Sequence, residues 1–453
     1  MRKFKMIRKP NLTAPILLAL VCATIAAPLS AAATSAIDPA QALQKTLALQ
    51  SDPNTWPQQK VSAADGASSD SFGYSVAVSG DFAVVGALQA TVDGNSYQGA
   101  AYVFAKSGGV WTQQQKLTAS DGTENAQFGK SVAIDGNTIL IGAQSDSTWR
   151  GAAYVFTESA GTWTQAQKLT ASDSQTSSYF GGAVALQGSV AVVGEYNATI
   201  DGVIQQGAAY VFTESNGTWT QSQKLIASDG AIQDQFGHAV ALDGGTIAIS
   251  AWSATINGNV SQGALYLFTN SGGSWTQTQK LVVADGQQDD EFGRSIALSG
   301  NDLLVGAAYA AVGSNDQQGA VYVFAGDTGT WTQTQKLSAS DGAGGDEFGY
   351  AMAIDGSTVV IGAIGAVIND DINAGAAYVF AKQNDSWSQL DELLPSDGAQ
   401  NSFFGYAIGM SDADVLIGAE LANVGGNAGQ GDAYFFARAA NDLIFSDGFD
   451  GAR

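Results

Sequence analysis

A Phe-Gly pair recurs along this chain at Phe72, Phe128, Phe180, Phe236, Phe292, Phe348 and Phe404, with spacings of 56, 52, 56, 56, 56 and 56 residues. Repetition at so regular a period constrains the fold more than any other feature. Each unit is one supersecondary block that must stack on its neighbours to bury its apolar face. Fourteen residues after each Phe stands a Gly-Ala-like pair, at Gly86, Gly142, Gly194, Ser250, Gly306, Gly362 and Gly418. A block of the GAAYVF type follows, starting at Gly99, Gly151, Gly207, Gly263, Gly319, Gly375 and Gly431. Six copies then continue into a segment such as WTQQQKL, with Trp111, Trp163, Trp219, Trp275, Trp331 and Trp387.

Each unit reads as four short strands, FGYSVAV, FAVVGA, GAAYVF and WTQQQKL in the first copy, separated by Gly, Asn, Asp and Ser clusters that mark turns. Composition agrees. The 453 residues include 55 Gly and 7 Pro, and only 13% are charged. Collagen, Pro-rich linkers and a coiled coil are excluded, and because Gly costs a helix interior about 1 kcal/mol, the composition argues against a mainly helical protein. Four-stranded units repeated radially make a propeller. The expected fold is therefore all-β: a seven-bladed β-propeller of four-stranded antiparallel blades over residues 56–438.

Two details support the ring. Ala77, Ala133, Ala185, Ala241, Ala297, Ala353 and Gly409 on the first strand are each preceded by a bulkier residue, Val76, Val132, Val184, Val240, Ile296, Met352 and Ile408. Successive strand residues point to opposite faces, so the bulky face of one blade is expected to seat on the bare face of the next. The seventh copy, GDAYFFARAANDLIF, has no Trp segment, whereas an orphan one at residues 56–61 precedes the first copy. An N-terminal outer strand in the last blade would close the circle and remove exposed sheet edges. Leu443 to Phe445 competes for that place.

Residues 1–31, with the basic stretch MRKFKMIRKP, the apolar run APILLALVCATIAAP and the small residues LSAAA, have the layout of a secretory signal peptide. The apolar run is too short for a comfortable membrane span. Val21 before Cys22 does not complete a lipoprotein box, and Cys22 is the sole cysteine, so no disulfide is expected after cleavage. Residues 32–55 read as a linker, or as a short helix from Asp38 to Leu49. Residues 439–453 form a tail. Cleavage would remove the five basic residues of the first nine positions and leave 14 basic residues (19 less 5) against 42 acidic ones, so nucleic acid is not an expected partner.

The repeated motifs resemble those of FG-GAP repeat proteins of the bacterial type, related to the seven-bladed N-terminal propeller of integrin α subunits. The tail IFSDGFDGAR resembles a C-terminal tag of secreted proteobacterial proteins. The resemblance implies a secreted, periplasmic or cell-surface module of adhesion or recognition, without enzymatic activity, that binds a protein or polysaccharide. In integrin-type propellers the loop between the first two strands of some blades carries a DxDxDGxxD calcium site. Here those connections are tight turns, SGDF, DGNT, QGSV, DGGT, SGND, DGST and SDAD, so the calcium sites do not transfer.

Loops from strand two to three and from strand four to the next blade share one face. They are the longer, more variable set, where binding usually resides. Residues that break the repeat there are the binding candidates: Tyr97, Trp149, Arg150, Tyr196, Trp252 and Tyr309. Aromatic and Arg side chains anchor recognition surfaces, and sugars stack on such rings. The competing reading is that the rings plug loop bases or the channel mouth. No cofactor is required, although Asp285, Asp289, Asp290, Asp341 and Asp346 offer hard oxygens suited to Ca²⁺; solvated acidic loops are the alternative. Asp65, Asp121, Asp173, Asp229, Asp285, Asp341 and Asp397 recur in every copy and read as turn caps. Lys60, Lys116, Lys168, Lys224, Lys280 and Lys336 read as outer-strand charges that discourage edge pairing. His238, the only histidine, reads as a surface substitution for Tyr74, Lys130, Gly182, Arg294, Tyr350 and Tyr406. No GxSxG elbow or Ser-His-Asp set surrounds it. A structural extracellular protein and a carboxylate-dependent hydrolase are the alternative functions.

Overall fold

The computed structural model describes residues 56–437, apart from 328 and 413. The expected signal peptide, the expected linker or helix, the tail and the strand candidate near Leu443 lie outside the described residues. Seven four-stranded antiparallel sheets make up the described residues, six of them with their strands in chain order. In blade 1 these are an inner strand Phe72–Ser79, a second strand Phe82–Ala87, a third Ala100–Ser107 and an outer strand Val110–Leu117. Blade 7 takes Phe404–Ser411, Asp414–Ala419 and Asp432–Ala437 from the C-terminal repeat and its outer strand, Gln58–Val61, from the other end of the chain. Gln58 pairs with Phe436 and Lys60 with Tyr434.

Apolar cores lie between blades. Leu416, Ala433 and Phe435 of blade 7 join Val76, Val78 and Phe72 of blade 1 in one buried cluster, while Ala77 faces Val132 and Ile134 of blade 2. The large-on-small alternation of the inner strands is thus used as expected. At the narrow end Gly409 leaves so little space that an added Cβ would lie 3.1 Å from the Cα of Ala77. Each motif Phe is fully buried; Phe72 meets Tyr102 and Phe104 edge-on at 5.5 and 6.1 Å. Losing one such ring costs about 3–5 kcal/mol.

The glycines of the repeat are one device. At the seam between blades 7 and 1, a Cβ on Gly431 would lie 2.0 Å from the carbonyl oxygen of Phe72, and one on Gly418 would lie 1.9 Å from that of Gly73. Gly73 itself has φ +92, a conformation side chains rarely adopt. The Phe-Gly peptide of each blade therefore beds on glycines of the preceding blade, and the closing seam uses the same contact as the others.

The recurrent charged residues have different roles from those expected. Asp65 accepts a hydrogen bond from the hydroxyl of Tyr102 at 2.9 Å and pairs with Lys116 at 2.6 Å. The same clasp joins Asp121, Asp173, Asp229, Asp285 and Asp397 to Lys168, Lys224, Lys280, Lys336 and Lys60. Each Asp ties an incoming loop to the outer strands of the blade it enters, which replaces the turn-cap reading; the lysines stand on the outer strands as expected, each paired with an Asp. The turn is closed by a later carboxylate, as where Asp70 accepts from the amide of Ala67 at 2.7 Å. Outer strands of adjacent blades are joined by glutamines: Gln115 donates to the Trp163 carbonyl at 2.7 Å and accepts from its amide at 2.9 Å.

Deleting residues 56–61 should strip the outer strand from blade 7 and lower the melting temperature in calorimetry by many degrees, since each kcal/mol lost shifts a large domain by roughly 2–4 °C. An unchanged melting temperature would refute the closure. The clasps give a pH signature. Burial pushes Asp65, Asp121, Asp173, Asp229, Asp285 and Asp397 upward, but the Lys and Tyr hydrogen bonds outweigh it and hold all six below 3.8. A depressed carboxylate stabilises the fold above its unfolded value and loses that contribution as pH falls through its folded value. Melting temperature should therefore drop below about pH 4. Lys116→Met should shrink that drop while costing only about 0–1 kcal/mol at pH 7, because the pair is half exposed.

Candidate functional site

Five of the seven inner strands begin with the same local device, while those of blades 4 and 5 begin at Val240 and Ile296, four residues after the motif Phe. The Gly after the motif Phe interrupts the ladder, so that in blade 1 the register shifts between Phe72 and Ser75. A bulge of this kind re-aims the residues it contains. In this protein the residue two places after each motif Phe stands on the wall of a central cavity of about 360 Å³. All seven copies contribute: Tyr74, Lys130, Gly182, His238, Arg294, Tyr350 and Tyr406, with Tyr196, Gln235 and Trp252 completing the lining. The inner strands begin, and the second strands end, on the long-loop face, so the cavity lies at the axis on that face.

Its wall is a nearly continuous chain of ring and cation contacts. Tyr179 stacks on Tyr196 at 5.5 Å, Tyr196 meets His238 at 5.8 Å, and His238 meets Trp252 at 5.1 Å. The Arg294 guanidinium lies 5.9 Å from the Trp252 ring and 4.4 Å from that of Tyr350. Tyr350, Tyr406 and Tyr74 follow at 5.1 and 5.0 Å, and the Lys130 ammonium stands 4.5 Å from the Tyr74 ring. Gly182 is where the chain turns inward: a Cβ there would lie 2.6 Å from Cε1 of Tyr196, so its absence admits that ring.

His238 is therefore a wall residue of the axial cavity, which corrects the surface reading. Burial, then the charges of Arg294 and Lys130, hold its imidazole neutral, well below its usual range. Its Nδ1 is buried and has no hydrogen-bond partner. Among the sequence candidates, Tyr196 and Trp252 line the cavity, and Trp252 Nε1 donates to Gln235 at 3.0 Å. Tyr309 stands beside this group, half buried, where burial and then Glu347 push its phenol up to about 12. Tyr97 and Trp149 occupy one equivalent loop position, with φ +54 and +66 and exposures of 45% and 50%. Their carbonyls accept from the amides of Gln127 and Tyr179. Only Trp149 leans toward the axis, 5.9 Å from Tyr179. Arg150 is exposed, and its carbonyl accepts from Phe180 at 3.0 Å.

The calcium candidates are spread over separate contacts. Asp285 is held by Lys336, Asp290 and Asp346 accept from the amides of Gln287 and Ala343, Asp341 bonds Tyr378, and Asp289 accepts from Gln288. Among the described residues no three His, Cys, Asp or Glu side chains gather in a way that would hold a metal ion. Carboxylates do flank the cavity. Glu291 lies 3.9 Å from Arg294, and Glu347 and Glu420 feel Arg294 and Lys130 respectively. Burial raises all three; for Glu291 and Glu420 the value reaches about 7 despite the neighbouring cation.

A family model described as the FG-GAP repeat matches residues 56–104, 111–156, 163–212, 219–268, 275–324, 331–380 and 387–436. Each match begins on or just before the outer strand of one blade and ends on the third strand of the next. No curated protein matches the chain. Among the described residues no helix is long and apolar enough to cross a membrane.

A carboxyl raised in the folded state favours folding in its protonated form. That contribution is complete below the unfolded value of 4.5 and is lost as pH rises toward 7. Between pH 4.5 and 7 the protein should therefore lose stability as pH rises. Glu420→Gln and Glu291→Gln should each flatten that slope in melting curves; parallel curves for variant and parent would count against the assignment.

Proposed function

We propose, from the premise that this chain belongs to the FG-GAP repeat family, that it is a non-enzymatic recognition module whose long-loop face captures a polysaccharide or protein ligand, anchored at the axial cavity. The observation that carries this reading is where the repeat frame fails. The Phe-Gly peptide, the Tyr-Asp-Lys clasp and the glutamine bridges recur around the ring because they hold blades together. The axial position instead carries Tyr, Lys, Gly, His and Arg in different blades and presents aromatic faces and hydrogen-bond donors to one cavity. Side chains released from the packing constraint and converging on a concave site are what a ligand site requires.

A binding role accounts for the cavity better than catalysis does. His238 stands against the rings of Tyr196 and Trp252 and feels the charges of two cations, with no nucleophile paired to it. The signal-like N-terminus and the acidic charge of -23 suit export to the cell surface or the surrounding medium. Adhesion or capture outside the cell is the corresponding role.

A screen of immobilised glycans and surface proteins tests the reading. Tyr196→Ala and Trp252→Ala should each abolish capture at unchanged melting temperature, whereas Tyr97→Ala, at the exposed rim, should leave it nearly intact. Capture insensitive to Tyr196 and Trp252 would move the site elsewhere. Turnover of glycosidic or ester substrates by the purified protein would overturn the non-enzymatic assignment.

A further inference from the structure

The chemistry of the cavity wall allows the ligand class to be narrowed, on the reading that the axial cavity is the binding site. We propose that it takes an acidic saccharide, a sugar bearing a carboxylate. The sugar face lies against Tyr196 and Trp252, and the carboxylate points to the arc between Lys130 and Arg294.

The wall has two unlike halves. From Lys130 through Tyr74, Tyr406 and Tyr350 to Arg294 runs an arc of donors. The Lys130 ammonium donates to the Tyr74 hydroxyl, and Arg294 donates to the Tyr350 hydroxyl at 2.6 Å. An ammonium carries three N–H groups and a guanidinium five, with no acceptor on either. Each cation therefore keeps donors to spare. A planar guanidinium fork matches a carboxylate better than any other common anion-binding group in proteins. The other half, Tyr196, His238 and Trp252 beside Gly182, offers ring surface.

The same geometry argues against a quaternary ammonium ligand. Aromatic cages for such cations need open ring faces. Here Lys130 already lies over Tyr74, and Arg294 over Tyr350 and Trp252. Glu291, Glu347 and Glu420 stand near the two cations but do not line the cavity, and burial favours their neutral forms. The lining itself carries Lys130 and Arg294 as its charged side chains. At about 360 Å³ the space sits near the lower end of small-ligand sites, roughly 300–1,000 Å³. It suits sugar units better than a protein loop.

Titration calorimetry on the full-length chain exported in its native form decides the matter, with oligogalacturonate, oligoalginate and glucuronate-containing oligosaccharides as probes, each beside its carboxyl-reduced counterpart. At least one acidic probe should bind, and reducing its carboxyl should weaken binding roughly tenfold to a hundredfold, the worth of a charge-assisted hydrogen bond. Arg294→Gln and Lys130→Met should weaken the acidic probe by a similar factor and leave the reduced probe unaffected. If Arg294→Gln lowers the melting temperature, Arg294→Lys, which keeps the charge and loses the fork, replaces it. Equal affinity for acidic and reduced probes, with loss on Trp252→Ala, would overturn the ligand class and leave the axial site standing. Binding indifferent to Trp252→Ala would overturn the site itself. No binding of any acidic probe would overturn the proposal.

Discussion

The contact on which this molecule depends is the bed of glycine under each Phe-Gly peptide. A side chain on Gly418 or Gly431 would run into the backbone of Gly73 or Phe72, so blades can approach this closely only where both sides are bare. Close approach near the axis is what lets flat sheets crowd into a ring, and a contact repeated at each seam sets one angle throughout. The exception shows the cost. Ser250 takes the place of one glycine, and a Cβ on Gly293 would meet its Cβ at 2.8 Å. The inner strands on either side are reduced to Val240–Asp243 and Ile296–Ser299, against eight residues in the other blades. The Ser250 hydroxyl takes part in the repair by accepting from the amide of Ala239 at 2.9 Å.

Stability and specificity are divided between depths. Motif Phe rings and the Val, Ile and Leu of the middle strands are fully buried between blades, where each is worth several times a half-exposed ion pair. The Lys-Asp-Tyr clasps and glutamine bridges lie farther out. Their net contribution is small per copy, but they fix loops to blades and outer strands to each other in one register. Blade 6 is the odd copy: Glu392 stands where other blades have Lys, facing Asp341 and Asp391, and burial with those two charges raises its carboxyl. That blade closes without the clasp; its ion pair to a neighbour is instead Lys382 with Asp302 of blade 5, at 2.8 Å.

Much of this was legible in the sequence, because packing constraints repeat. The seven units, their four strands, the alternation of Val76 and Ala77 and the orphan segment at residues 56–61 are all consequences of contacts made once per blade. The axial ring was not legible, for a definite reason. A strand read at period two assigns Tyr74 and its counterparts to a blade face, and the bulge created by Gly73 at φ +92 breaks that period. Variation among Tyr, Lys, Gly, His and Arg at one position of an otherwise regular inner strand was the available signal. The loop aromatics divided for a similar reason. Tyr196 and Trp252 immediately follow the Gly-Ala-like pair, at the inner end of the loop, whereas Tyr97 and Trp149 sit near its return, where the backbone carbonyl is what the next blade uses.

The clasp aspartates misled because their recurrence fits any structural role. Only coordinates separate an acceptor for Lys and Tyr across a loop from an acceptor for backbone amides. The distinction has a consequence for electrostatics. With six of the acidic loop residues neutralised by lysines on the outer strands, the cations left for the axis are Lys130 and Arg294, each held against tyrosine rings and hydroxyls. The net charge of -23 acts at a distance and is screened over about 8 Å at physiological salt. The donors on the cavity wall act at contact, in partly dehydrated surroundings where they count for more. A ligand entering along the axis therefore meets a field set by two side chains rather than by the surface of the whole protein, and the rigid seams fix where those two side chains stand before it arrives.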